Sequence, residues 1–144
     1  MFKTINDGIY PTKGSKYSAA VDLYANEDVI IKDGETKIIP LGVCLDYTSF
    51  PIYVKNNMNK LYLQLEPRSS IRAKGLVGCT GIIDIDYTGE VKLILHNPSN
   101  NLGEYYSIKK GDKIAQILLK EHKTYLFDIE TNEKRFGGFG STGE

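Results

Sequence analysis

Short apolar runs broken by turn-forming residues are the feature that most constrains this chain. Val29-Ile30-Ile31, Ile38-Ile39-Pro40-Leu41, Leu61-Tyr62-Leu63-Gln64-Leu65, Val91-Lys92-Leu93-Ile94-Leu95 and Ile114-Ala115-Gln116-Ile117-Leu118-Leu119 sit between clusters of Gly, Pro, Asn and Asp. Runs of this length, rich in β-branched and aromatic residues, predict strands. Lys32-Asp33-Gly34-Glu35, Asn97-Pro98-Ser99-Asn100-Asn101 and Lys109-Lys110-Gly111-Asp112 predict the turns between them. No window holds an apolar 3.6-residue period for ten residues, and only Ser69 to Lys74 is compatible with a helix, a short one. Many short strands with frequent turns imply an all-β sandwich, barrel or jelly roll. No repeat or linker divides residues 1–131, so they are expected to form one domain. Residues 132–144 are Gly-rich and polar, and are expected to form a flexible C-terminal arm.

At 144 residues the chain is long enough to bury its own core. Lys plus Arg and Asp plus Glu both number 18, which leaves no basic field for a nucleic-acid backbone. A phosphate-handling protein of this composition has to concentrate its positive groups locally. The start, Met1-Phe2-Lys3-Thr4-Ile5-Asn6-Asp7, has no apolar run, and no stretch approaches the ~20 apolar residues of a membrane span. Cys44 and Cys79 are isolated, with no CxxC and no nearby His, and are expected to be buried free thiols. These features lead us to expect a soluble, intracellular or cytoplasmic protein with no signal peptide and no membrane partner.

Four segments carry candidate chemistry. The tail Gly137-Gly138-Phe139-Gly140-Ser141-Thr142-Gly143 offers backbone amides, two hydroxyls and one aromatic. It lacks the Lys and the following helix of a P-loop. By itself it reads as a flexible terminus; the functional alternative is a flap that wraps phosphates and stacks Phe139 on a base, worth ~1–3 kcal/mol. Pro67-Arg68-Ser69-Ser70 opens the one helical turn, either as an N-cap or as a set of N–H groups facing an anion beside a forked cation. Gly81-Ile82-Ile83-Asp84-Ile85-Asp86-Tyr87-Thr88-Gly89-Glu90 alternates acids with apolar residues. Unless a turn intervenes, Asp84 and Asp86 share one face, as solvated carboxylates or as a base held near a phosphate. Asp22 is an acid inside the apolar stretch Ala19-Ala20-Val21-Asp22-Leu23-Tyr24-Ala25, which calls for a paired charge or a nearby metal. His96 and His122 have no partner at a recognisable spacing and are read as structural or surface residues.

Taken in order, these segments resemble the motifs of the trimeric dUTPase (deoxyuridine triphosphate nucleotidohydrolase) family. The matches are Ala19 to Ala25, Pro67 to Ile71, Gly81 to Glu90, Gly111-Asp112-Lys113-Ile114-Ala115-Gln116, and Gly137 to Gly143. The resemblance implies a distorted jelly-roll β-barrel with one short helix and a C-terminal arm, assembled as a homotrimer. Each active site would be shared between subunits: the third motif from one, the first, second and fourth from a neighbour, and the tail from the third. It implies dUTP as substrate and Mg2+ held by the triphosphate, with Asp22 holding metal-bound water. Asp84 would activate a water for in-line attack on the α-phosphorus, giving dUMP and pyrophosphate. Arg68, Ser69, Ser70 and Gln116 would hold phosphates. Backbone groups from Gly81 to Ile83 would read the uracil edge, and Tyr87 would lie against the deoxyribose and exclude a 2′-hydroxyl. Phe139, Gly140, Ser141 and Thr142 would close over the nucleotide.

The chain departs from that pattern in three places. Ser70 stands where the family usually has Gly, with the amide retained. The tail's usual Arg is replaced by Lys134, with Arg135 one step later, so either group is a candidate for the phosphate contact. The stretch from Thr48 to Lys60 is extra material, expected to be a surface hairpin. Two rival readings are a dCTP deaminase, which Arg68 to Leu76 also resembles, and a non-catalytic jelly-roll binding module. The deaminase needs a Glu base where this chain has Ile94. The module leaves Asp84, Asp22 and Phe139 together without a purpose.

Overall fold

The computed structural model describes residues 1–99 and 103–131. Nine strands run through them: β1 Phe2–Thr4, β2 Val21–Tyr24, β3 Val29–Lys32, β4 Thr36–Leu45, β5 Leu61–Pro67, β6 Gly81–Asp84, β7 Glu90–His96, β8 Tyr105–Ile108 and β9 Lys113–Glu121. All pairings are antiparallel. They build three sheets, ordered β1-β4-β7, β2-β9-β5-β6 and β3-β8. The fold is all-β, of the jelly-roll type.

Alternation decides which side of each strand is buried. In β5, Leu61, Leu63, Leu65 and Pro67 face the core while Tyr62, Gln64 and Glu66 face outward. In β7, Val91, Leu93 and Leu95 are buried and Lys92, Ile94 and His96 are not. The inward rows meet Leu23, Ile31, Ile39, Leu41, Ile114 and Ile117, all essentially inaccessible. Each such side chain contributes about 1.5–3 kcal/mol of burial.

The expected strands at residues 29–31, 38–41, 61–65, 91–95 and 114–119 all form, most of them longer than expected. The helix at 69–74 forms as α2, Ser69–Ala73. β2, in the Asp22 segment, was not anticipated as a strand, and three further elements were not anticipated either. β1 and β8 are three and four residues long, with few buried side chains and hence little pattern. The third is α1, Ile52–Asn56, and it overturns the expected hairpin at Thr48 to Lys60. That segment contains no strand, and 3-10 turns at Tyr47–Ser49 and Met58–Lys60 lie on either side of α1. Pro51 sets the entry φ at −56°, and Phe50 and Val54 anchor the segment in the core. Five residues are too few to display a period, and tertiary burial outweighs the β propensity of Ile52-Tyr53-Val54. Cys44 is buried as expected, but Cys79 is exposed, because it lies in the strandless approach to β6 rather than on an inward row.

β4 bends where its pairing with β7 shifts register between Pro40 and Cys44. Pro40 has no N–H for a ladder, and Gly42 takes a φ of +65° that a side chain would strain. Gly8 packs on that bend so closely that a Cβ there would lie 2.7 Å from the Gly42 Cα. The bend turns the Gly42 amide toward β7, where it donates to Glu90 Oε1 at 3.0 Å.

Candidate active site

β6 and β7 are each the last strand of their own sheet, and they are consecutive in the chain. Between them lies a cavity of 280 Å³ walled by Gly81 to Asp84, Tyr87, Glu90 to Ile94, Leu65, Cys79 and Thr80. Strand edges present main-chain donors and acceptors in a fixed row. This slot is therefore built to pair with a flat group whose own edge carries donors and acceptors. The alternation from Ile83 to Asp86 is cut by a turn at Ile85 and Asp86, closed by the Tyr87 amide donating to the Asp84 carbonyl at 3.1 Å. Ile85 is buried and Asp86 exposed, while Asp84 and Tyr87 remain half-buried on the slot. Only Asp84 of the two acids belongs to the cavity. The Tyr87 phenol donates to the Glu90 carbonyl at 3.2 Å. Burial, and then the Glu90 charge, raise its pKa above that of an ordinary phenol, so it stays neutral.

A second site forms on the outer face of the four-stranded sheet. Directly opposed residues of neighbouring strands share a face. Asp22 on β2 faces Gln116 on β9, and Gln116 faces Glu66 on β5. The same face continues through Gln64 opposite Ile82 and Tyr62 opposite Asp84. Asp22, only 14% exposed at its side chain, is bridged on both sides: Oδ1 to Arg68 Nε at 3.1 Å and Oδ2 to Lys113 Nζ at 3.3 Å. This is the paired charge that an acid in an apolar stretch requires. Arg68 is also held through its main chain, donating to the Ile114 carbonyl at 2.9 Å. Ala25 donates to Asp112 and Gly111 to Ala25, at 2.9 and 2.8 Å. The segments around Asp22, Arg68 and Gln116 thus converge on one end of the sheet.

Beside them is a depression of 480 Å³ lined by Ala19, Ala20, Gln64, Glu66, Pro67, Ser69, Arg72, Thr80, Gln116 and Leu118. Ser69 and Ser70 are exposed in the first turn of α2, where main-chain amides have no intrahelical acceptor. Glu66 was not singled out from the sequence and organises the floor. It accepts from Thr80 Oγ1 and Arg72 Nη2, and from Gln64 Nε2 at 2.9 Å. The Thr80 hydroxyl first, then Gln64 and the Arg72 charge, hold its carboxyl below the usual range. Its signal in the sequence is faint: it is one outward polar position on a strand that alternates cleanly. Thr80 lines both the slot and the depression.

The two sites are close at Thr80 but their chemical ends are not. From Asp84 to Asp22 is three strand spacings across the sheet and four residues along it. At ~4.8 Å and ~3.3 Å each, that is roughly 20 Å. Gly81, Ile83, Asp84 and Tyr87 are brought together, as are Asp22, Arg68, Ser69 and Gln116 with Ser70 beside them. The two sets are not brought to one point within a single chain. Lys134, Arg135, Phe139, Gly140, Ser141 and Thr142 lie outside the described residues.

Among the described residues no three His, Cys, Asp or Glu side chains cluster as a metal cage. Asp22 is one carboxylate next to a phosphate-sized depression. Mg2+ is commonly held by one or two carboxylates plus substrate phosphates, and this donor set fits that mode. His96 Nδ1 pairs with Thr36 Oγ1 and His122 Nδ1 with Thr124, away from both sites. No helix among the described residues is long and apolar enough to cross a membrane.

Comparison with known proteins finds relatives in both sequence and fold. The dUTPase family model covers residues 6–143. The deoxyuridine 5'-triphosphate nucleotidohydrolase of Candida glabrata is 36% identical over 143 residues, spanning 95% of this chain and 90% of that protein. A point variant of the Staphylococcus bacteriophage 80alpha dUTPase, solved with dUpNHpp, superposes with a TM-score of 0.74 at 23% identity, covering 100% of this chain and 98% of that one. A variant of the dUTPase from phage phi11 of S. aureus, which coordinates a structural Mg(II) ion, gives a TM-score of 0.71 at 23% identity, with 98% of each chain covered. The chain belongs to the dUTPase family, whose activity is that of a dUTP diphosphatase.

Proposed function

We propose that this protein hydrolyses dUTP to dUMP and pyrophosphate, with the base in the β6–β7 slot, Asp84 activating the water, and the phosphates held by the Arg68 depression of a second copy. The observation that carries this reading is the slot itself, which runs between two strand edges and ends at Asp84 and Tyr87. Main-chain groups of Gly81 to Ile83 suit uracil: donors meet O4, and an acceptor meets N3–H. Cytosine reverses that pattern and leaves buried groups unpaired, a cost of about 1–3 kcal/mol for each.

The chemistry is an in-line displacement. The Asp84 carboxylate takes a proton from water as its oxygen bonds to the α-phosphorus. The bond from that phosphorus to the bridging oxygen of the β-phosphate breaks, and pyrophosphate leaves. A positioned base of this kind contributes ~10²–10⁴-fold. Charge neutralisation supplies most of the rest. Arg68 has five N–H donors and commits Nε to Asp22, which orients the guanidinium. Gln116 and the amides of Ser69 and Ser70 add neutral donors. Mg2+ bound by the triphosphate, with Asp22 holding its water, would offset charge on the phosphates. Residues 132–144, which lie outside the described residues, keep in this reading the roles that the motif resemblance implies: a closing arm with Phe139 for the base, Gly140, Ser141 and Thr142 for phosphates, and Lys134 or Arg135 as an added cation.

The roughly 20 Å between Asp84 and Asp22 supports a site shared between copies, since a general base acts only at hydrogen-bond reach or through one water. Exposed Ile82, Ile38, Ile94 and Val77, at 75, 52, 42 and 50% of their surfaces, give such copies apolar area to cover. A homotrimer is the assembly we propose.

Pyrophosphate release measured on dUTP, dTTP, dCTP and UTP, with and without Mg2+, tests the reaction. Strong preference for dUTP is expected, and equal rates would overturn the slot's role. Mixing and reassembling Asp84→Asn with Arg68→Ala chains tests the sharing. Each variant alone is expected to be strongly impaired, and the mixture regains activity well above either if the two sets work in trans. No recovery after subunit exchange would place the whole site in one chain.

A further inference from the structure

Tyr87 is held by two neighbours to which the catalytic chemistry gives no part. The first is Gly89. A Cβ there would run into the Tyr87 Oη, and would lie 2.6 Å from Cζ and 3.0 Å from Cε2. Gly89 does not take the left-handed φ that favours glycine, so its backbone tolerates alanine. The three heavy atoms nearest to such a Cβ all belong to the hydroxyl end of the Tyr87 ring, which sits against residue 89. The second neighbour is Glu90. Its carbonyl accepts the Tyr87 hydroxyl at 3.2 Å, and its Oε1 accepts the Gly42 amide at 3.0 Å. That amide points at β7 only because β4 bends at Gly42. The Tyr87 end of the slot is therefore tied to the β4 bend by a carboxylate as well as by the β4–β7 ladder.

We propose that Gly89 and Glu90 are positioning residues for Tyr87 and thereby set how tightly the slot discriminates against a ribonucleotide. Gly89 lets the ring sit low against the hairpin, and Glu90 fixes the height of the backbone on which it rests. A methyl at 89 lifts the ring by about 1 Å to regain van der Waals separation. A displacement of that size at a reacting site costs up to ~10²-fold. The sugar-facing part of this inference rests on the reading of Tyr87 given above.

The test combines kinetics on dUTP and UTP with a direct probe of the ring. In Gly89→Ala the ratio of kcat/KM for dUTP over UTP should fall ~10-fold or more, mostly through KM for dUTP. In a Tyr87→Ala background the same substitution should change it less than ~2-fold, because the clashing ring is gone. Glu90→Ala should raise KM and lower the ratio, and Glu90→Gln, which keeps an acceptor at Oε1, should restore both. The 19F resonance of 3-fluorotyrosine placed at position 87 should shift in Gly89→Ala and Glu90→Ala while the melting temperature of Gly89→Ala holds. An unshifted resonance, or an equal effect of Gly89→Ala with and without the ring, overturns the inference. A shifted resonance with a dUTP/UTP ratio indifferent to Tyr87→Ala supports the positioning and overturns the sugar-facing reading of Tyr87.

Discussion

In the proposed reaction the slot and the depression would handle the two ends of one nucleotide with different materials. The slot is bounded by the edges of β6 and β7, where main-chain donors and acceptors lie in a row. The depression and the sheet end beside it carry side chains that neutralise one another: Glu66 with Arg72 in the depression, and Asp22 with Arg68 and Lys113 next to it. A base edge is a fixed row of neutral donors and acceptors, which a strand edge matches without charge. A triphosphate needs positive charge, and in a chain with zero net charge that has to be stored in pairs and redirected. The two surfaces should therefore respond differently to mutation, salt and pH.

The largest contrast is expected from Asp84→Asn, which should lower kcat by ~10²–10⁴-fold while KM for dUTP and the melting temperature stay near their starting values. A KM effect of similar size would mean that Asp84 binds rather than activates. Next is Arg68→Ala, expected to cost about 10²-fold in kcat/KM by removing a phosphate donor. It should also leave Asp22 with only Lys113, and calorimetry would register a modest loss of stability. Raising salt should weaken phosphate binding in the depression more than uracil selectivity in the slot.

A smaller effect separates the two by pH. The folded-state pKa of Glu66 lies below its ordinary value of 4.5, so its stabilisation is complete above that pH. It is lost as pH falls from there through the folded-state pKa. Melting temperatures between about pH 5 and pH 2 should fall less steeply for Glu66→Gln than for the parent chain. The smallest effect is expected at Cys79, which is exposed on the slot wall: Cys79→Ser should stay within about 0.5 kcal/mol of the parent. Alkylating that thiol with a bulky maleimide should nonetheless block turnover, and bound dUMP should protect it.

Legibility in the sequence followed the same division. The strands at 61–65 and 91–95 were readable because one face of each is core, and alternation records that choice residue by residue. β1, β8 and α1 were not, since each is short and set by contacts made elsewhere. Tyr87 and Asp84 were singled out through the motif resemblance rather than through the alternation, and both lie on one cavity. Glu66 and Glu90 were passed over because both matter through partners distant in sequence: Thr80 and Gly42 lie 14 and 48 residues away. The alternation itself could not reveal the turn at Ile85 and Asp86, because one residue of each character fits either conformation.

A reader of bases made from main chain has a consequence for how such a protein changes over generations. Every residue type carries the same amide and carbonyl, so exchanging side chains along β6 alters the walls but not the hydrogen-bonding row. Preference for uracil is thus buffered against point substitution. It is expected to drift mainly through insertions or deletions that move the hairpin, whereas the charged depression can be retuned one codon at a time.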